Sequence, residues 1–265
     1  MSPARHRTLV ASAALAALLG SATPALADPA PAPAPALTRA PIAPSEPETD
    51  APHSAPAGPH GGVMHGTSSN WSGYAATGAK FTAVSASWIQ PTVICTSTDR
   101  WSSFWVGLDG DGSRSVEQTG SEADCSSGSP VYYSWYEMYP AYPVSYREPV
   151  RAGDHFTASV TTNGSGSFTL KLSDITQGWT HSVSRTLRGA KLASAEVIAE
   201  APSDFLGPLP LADFDTVSFT DATANGRPIG HFSPENITML SHGTTLATTS
   251  ALTGGNAFSV TWKHS

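Results

Sequence analysis

Basic residues, cysteines and long apolar runs are all scarce in this 265-residue chain, and each shortage excludes a class of function. Lysine and arginine number 14 against 21 aspartates and glutamates, giving a formal net charge of −7. No basic patch is available to neutralise phosphates, so nucleic acid is not an expected partner. The only cysteines are Cys95 and Cys125, with no C-x-x-C and no neighbouring histidine pair, so no zinc or redox motif is present. In an exported chain an even pair points instead to a disulfide, closing a loop of about 30 residues, with two free thiols as the other possibility. No segment approaches the ~20 apolar residues of a membrane span. H-E-x-x-H, G-x-S-x-G, a P-loop and a dinucleotide fingerprint are missing too, and neither cysteine is flanked like a thiol nucleophile. Any chemistry must come from carboxylates, amides and aromatics.

What is there begins with a leader. Arg5 and Arg7 precede a short Ala/Leu-rich stretch, Leu9 to Leu19, and Ala25-Leu26-Ala27 reads as a small-residue cleavage site. Residues 1–27 are therefore expected to be a secretory signal peptide, leaving a soluble, secreted, extracellular protein with no membrane association. Residues 28–65 repeat Pro and Ala with few large apolar side chains, so a disordered linker or a propeptide is expected there. Residues 66–265 remain as one domain with room for a core. Arg5, Arg7 and Arg39 lie upstream, which leaves this domain 11 basic residues. So few positive charges limit self-repulsion once carboxylates are protonated, which suits a protein that works in acid.

The domain reads as all-β. Nine stretches are rich in Val, Thr, Phe, Tyr and Trp: 81–89, 102–108, 130–139, 155–162, 167–174, 181–187, 194–200, 215–222 and 257–262. Gly, Asn, Asp, Ser and Pro punctuate them. Only 187–196 tempts a helical reading, and Gly189 weakens it. Many short strands imply a sandwich or barrel of antiparallel sheets. Asn70, Asn163 and Asn236 stand in N-x-S/T sequons.

Three segments join polar residues to aromatic strands: 104–120, 132–140 and 194–202. In a strand over 194–200, Glu196 and Glu200 share one face with Ile198, ~13 Å apart, while Val197 and Ala199 turn to the other. The plain reading of that face is a solvated one. Gln118, in VEQTG, reads by itself as a hydrogen-bonded structural residue. Asp109 and Asp111, in LDGDG, read as turn residues, a calcium loop or supports for a site.

Together these segments resemble the glutamic peptidases, or eqolisins. SNWSGY (69–74), WVGLDGD (105–111), EQTG (117–120), SWYEMYP (134–140), SAEVIAE (194–200) and FDTVSFTDA (214–222) match that family's motifs in the family's order. Each motif alone is unspecific; it is their succession that carries the resemblance. The resemblance implies a lectin-like sandwich of two packed antiparallel sheets with a cleft on the concave one. It also implies an acid endopeptidase insensitive to pepstatin, with polypeptide substrates and no cofactor or metal. By the same motifs Gln118 and Glu200 form the catalytic dyad. Trp71, Asp109, Asp111, Trp135, Glu137 and Glu196 line or support the cleft. The chain departs from the family pattern at Tyr133, Met138 and Val197, and these departures are expected near the cleft, where they bear on side-chain preference.

The chemistry is coherent. A glutamate near pH 4 can take a proton from water and return it to a leaving amine, and it titrates near the pH of an acid enzyme. A glutamine offers an uncharged donor to the developing oxyanion. Two rival readings stand. One is a carbohydrate-binding or carbohydrate-hydrolysing lectin-like protein using a pair among Glu137, Glu196 and Glu200, with Gln118 incidental. The other is a non-catalytic surface module on a Pro/Ala stalk. A monomer is the default expectation.

Overall fold

The computed structural model describes residues 65–204 and 207–265. The expected signal peptide and the Pro/Ala-rich segment lie outside the described residues, except for His65. In chain order the strands are β1 (His65–Ser68), β2 (Trp71–Ala76), β3 (Ala83–Ile89), β4 (Ser103–Leu108), β5 (Val116–Ser126), β6 (Ser129–Tyr139), β7 (Val144–Ser145), β8 (His155–Thr162) and β9 (Ser167–Asp174). They continue with β10 (Trp179–Thr186), β11 (Ala195–Glu200), β12 (Ser203–Asp204), β13 (Gly207–Pro208), β14 (Thr216–Ala224), β15 (Arg227–Pro228), β16 (Glu235–Ser241), β17 (Thr244–Thr249) and β18 (Phe258–Trp262). One 3₁₀ turn, Ile229–Phe232, is the only helical element among the described residues.

The hydrogen-bond ladder is continuous, in the order β10-β9-β8-β3-β14-β18-β17-β16-β2-β11-β4-β5-β6-β7. Every pairing along it is antiparallel; β1 joins β16 in parallel. The ladder doubles over, so that β3, β8, β9 and β14 pack across β4, β5 and β11. The expected antiparallel sandwich is present, with its two layers joined at the β17–β16 turn rather than separate.

Periodicity explains the first layer. In β8, Phe156, Ala158 and Val160 turn inward, and in β9 Phe168, Leu170 and Leu172 do the same. These side chains meet Val197, Ala199, Phe104, Val106 and Leu108 of the second layer in one core. Trp88 stacks at 5.6 Å on Phe156 and donates its indole N–H to Ser121 Oγ across the layers at 3.0 Å. Each such side chain contributes ~1.5–3 kcal/mol of burial.

The nine apolar stretches all hold strands. β2, β5, β16 and β17 are not among those nine. VEQTGSEADCS and TTLATT are polar and small, and it is pairing on both edges that makes them strands. Residues 187–194 form no helix and run as a loop into β11. Cys95 and Cys125 are bonded, with Cα atoms 5.4 Å apart, and tie the loop after β3 to β5.

Candidate active site

Strands β2, β11, β4, β5 and β6 lie side by side, and their register sorts the residues of one face into rows. Glu200 stands opposite Ser103, Ser103 opposite Glu122, and Glu122 opposite Tyr133. The next row is Ile198, Trp105, Gly120 and Trp135. The third is Glu196, Gly107, Gln118 and Glu137. The alternation read from the sequence holds: Ile198 packs with Trp71, Trp105, Val116 and Trp135 in a small cluster on this face, whereas Val197 and Ala199 belong to the main core. The solvated-face reading fails, because Glu196 and Glu200 are fully buried.

Trp105 organises the face. Its indole N–H donates to Glu200 Oε2 at 2.7 Å, and Asn70 Nδ2 donates to Oε1 at 3.1 Å. Its ring meets Trp71 edge to face, with centroids 5.0 Å apart. Two glycines make room for it. A Cβ on Gly120 would stand 2.6 Å from Trp105 Cβ, and one on Gly107 would stand 2.8 Å from the indole and 3.3 Å from Gln118 Cβ. The indole therefore forms a floor running from Glu200 toward Gln118.

Gln118 is fully buried, and its Nε2 donates to Glu137 Oε2 at 2.5 Å. Its Oε1 has no hydrogen-bond partner. Glu137 thus fixes which way the amide faces. Glu200 and Gln118 sit two strands and four residues apart, or ~16 Å between Cα atoms on a flat sheet. In register, Trp105 on β4 lies between them.

The remaining expected residues divide. Trp71 and Trp135 lie on the cleft face, and Tyr133 and Tyr139 pack beside them. Asp109 does not reach this cluster. Its carboxylate accepts the backbone N–H groups of Leu192 at 2.9 Å and Ala193 at 2.7 Å, holding the loop that feeds β11. The backbone N–H of Asp111 donates to Ser194 Oγ at 3.2 Å and faces Glu196 Oε1 at 3.5 Å. Both aspartates brace the end of the cleft through backbone contacts. Burial pushes Glu196 well above the usual carboxylate range; the Ser194 hydroxyl opposes this, and Asp111 and Asp109 add to it. Such a carboxyl holds its proton and suits a structural part better than that of a base.

Met138 and Val197 are corrections. Both face the main core, because they alternate with the cleft residues Glu137 and Ile198, so neither departure bears on side-chain preference. Of the three sequon asparagines, Asn70 has its side chain buried on Glu200, which removes it as a glycosylation site. Asn236 is likewise buried and donates to Tyr74 OH, leaving Asn163 as the exposed sequon. Sequence reasoning missed Asn70 and Trp105 as ligands of Glu200. The signal was present, since each sits inside a recognised motif, but only the register shows which way it points.

The Peptidase A4 family model matches residues 69–262. Among solved structures, scytalido-glutamic peptidase with a transition-state-analogue inhibitor is 26% identical over 74% of this chain and 98% of its own, with a TM-score of 0.65. SCP-B, an eqolisin in complex with the tripeptide Ala-Ile-His, is 25% identical over 74% and 98%, at 0.61. Aspergilloglutamic peptidase from Aspergillus niger is 25% identical over 62% and 99%, at 0.55. No curated protein matches the chain by sequence.

Proposed function

The chain belongs to the Peptidase A4 family, the glutamic peptidases, and from that premise we propose that it is a secreted acid endopeptidase whose reaction is run by Glu200 and Gln118. Glutamic-type endopeptidase activity on polypeptides comes with the family. The dyad, the export and the resistance to pepstatin are the proposal.

One observation carries the dyad. Of the buried acids and amides on this face, Glu200 is a carboxylate held by two neutral donors, and Gln118 is an amide anchored at one end with its Oε1 unpartnered. Glu200 takes a proton from a water in the gap, and that water attacks the scissile carbonyl carbon. The second N–H of Gln118 donates to the oxyanion, while Oε1 orients the water. Glu200 then passes its proton to the departing amine nitrogen. Gln118 cannot ionise, so no second acid competes for that proton. Trp71, Trp135 and Tyr139 offer walls to an extended peptide.

Export is supported by the leader at residues 1–27 and by the Cys95–Cys125 bond, which persists in oxidising compartments. Residues 28–65 are a linker or a propeptide ahead of the catalytic domain.

The test is cleavage of a denatured protein between pH 2 and pH 8 with pepstatin present. Cleavage is expected in acid only. It should vanish in Glu200→Gln and fall ~10²–10³-fold in Gln118→Ala, the usual loss for one oxyanion donor. Undiminished cleavage by Glu200→Gln would show that another carboxyl is the base.

A further inference from the structure

The mechanism leaves two buried polar residues of the cleft face without a part, and both stand in the row of Glu200. Ser103 lies directly opposite Glu200 on one side and directly opposite Glu122 on the other. Cross-strand neighbours on one face hold their Cβ atoms ~4.5–5.5 Å apart. All three residues are at most 1% exposed. Ser103 Oγ has no hydrogen-bond partner, and a buried hydroxyl left unpaired is costly. A hydroxyl donates once and accepts twice, so it can take a bond from one carboxyl while giving one to the other.

We propose that Ser103 and Glu122 are positioning residues that act through Glu200: protonated Glu122 donates to Ser103 Oγ, and Ser103 donates to the Glu200 carboxylate. This rests on Glu200 being the base. The arm gives Glu200 a third donor beside Asn70 and Trp105, and so keeps it a carboxylate in acid, where a buried acid would otherwise take up a proton. When Glu122 ionises, the hydroxyl turns toward it and the support is withdrawn. The groups facing Glu122 are consistent with this. Across on β6 is Tyr133, whose hydroxyl donates to Asp124 Oδ2 at 2.9 Å. On its own strand Asp124 also accepts the Ser102 N–H. Arg100 stands opposite Cys125, further along β5 than Glu122 and beyond Asp124.

The test is the pH profile of kcat/KM for the active protein. Ser103→Ala should move the acid limb upward by about one pH unit and lower kcat about tenfold, the worth of one such hydrogen bond, with KM unchanged. Ser103→Thr, which keeps the hydroxyl, should restore both. Glu122→Gln donates permanently, so it should keep the acid limb and carry the neutral limb to higher pH. Glu122→Leu removes the competing acceptor and leaves the hydroxyl to Glu200, so it should follow Glu122→Gln rather than Ser103→Ala. If both limbs stay in place in Ser103→Ala and in Glu122→Gln while Glu200→Gln is inactive, the arm is overturned and the dyad stands. If Glu200→Gln remains active, the base assignment fails and the arm fails with it.

Discussion

The two layers share a backbone and differ in burial. In β8, β9 and β14 roughly one residue in two is buried and the others meet water. In β2, β4 and β11 every residue is buried, and in β5 every residue but the last. The first layer has one dry face. The second has two: one against the core, and one beneath the indoles of the cleft. A two-sided strand is ordinarily a continuous apolar run. Here AEVIAE and VEQTGSEADCS place acids and amides in that position instead. Burying them without a functional return would be costly, and this is the physical reason to look for chemistry on that face.

The first layer should fail in an ordinary way. Phe156 is wholly buried between Trp88 and Trp179. Phe156→Ala should cost ~3–5 kcal/mol of stability. Denaturant titration at pH 4 and at pH 7 should give the same loss, because nothing at this site titrates. The molecules that remain folded should cleave normally. A loss that varied with pH would mean the two layers are coupled more closely than their packing implies.

This contrast also marks what could be read in advance. Strands β8 and β9 were legible residue for residue, because alternation is a local signal. The proposed dyad and the placing of the tryptophans beside it rest on the succession of motifs, since an acid in a strand carries no mark of which face is dry. Asn70 and Trp105 were on the page in SNWSGY and WVGLDGD, yet their bonds to Glu200 span 130 and 95 residues. Asp109 read as lining or supporting the cleft, but that it would hold the 192–193 backbone was not legible. Those facts belong to register, and local pattern does not set the register of distant strands.

The second layer should fail with a pH signature. Glu117 points to the core side of β5, opposite Leu108 and Met138. Burial pushes it from 4.5 up to about 8, with the Asp109 carboxylate adding and the Ser115 hydroxyl opposing. Below pH 4.5 it is protonated whether the chain is folded or not and costs nothing. Between 4.5 and 8 the unfolded chain releases the proton and the folded one keeps it, at about 1.4 kcal/mol per unit. Stability is therefore complete in acid and drains away toward pH 8, and Glu196, raised for similar reasons, adds to the slope. Glu117→Gln should leave stability at pH 4 nearly unchanged and raise it at pH 7 by up to about 3 kcal/mol. Equal unfolding midpoints for the two proteins at pH 7 would show that Glu117 ionises freely in the fold.

Finally, the two indoles of the cleft should separate, although they touch. Trp105 gives its N–H to Glu200, whereas Trp71 Nε1 has no partner within the protein. Trp105→Phe keeps an aromatic floor and removes that one donor from a charged group, an exchange typically worth ~1.5–3 kcal/mol. The loss should fall on kcat, about 10- to 150-fold, with little change in KM. Trp71→Phe removes a buried N–H that holds no group of the protein, so kcat should stay near that of the wild type and any change should fall on KM. If both variants moved KM alone, Trp105 would be a wall like its neighbour, and the carboxylate it touches would not be the one that takes the proton.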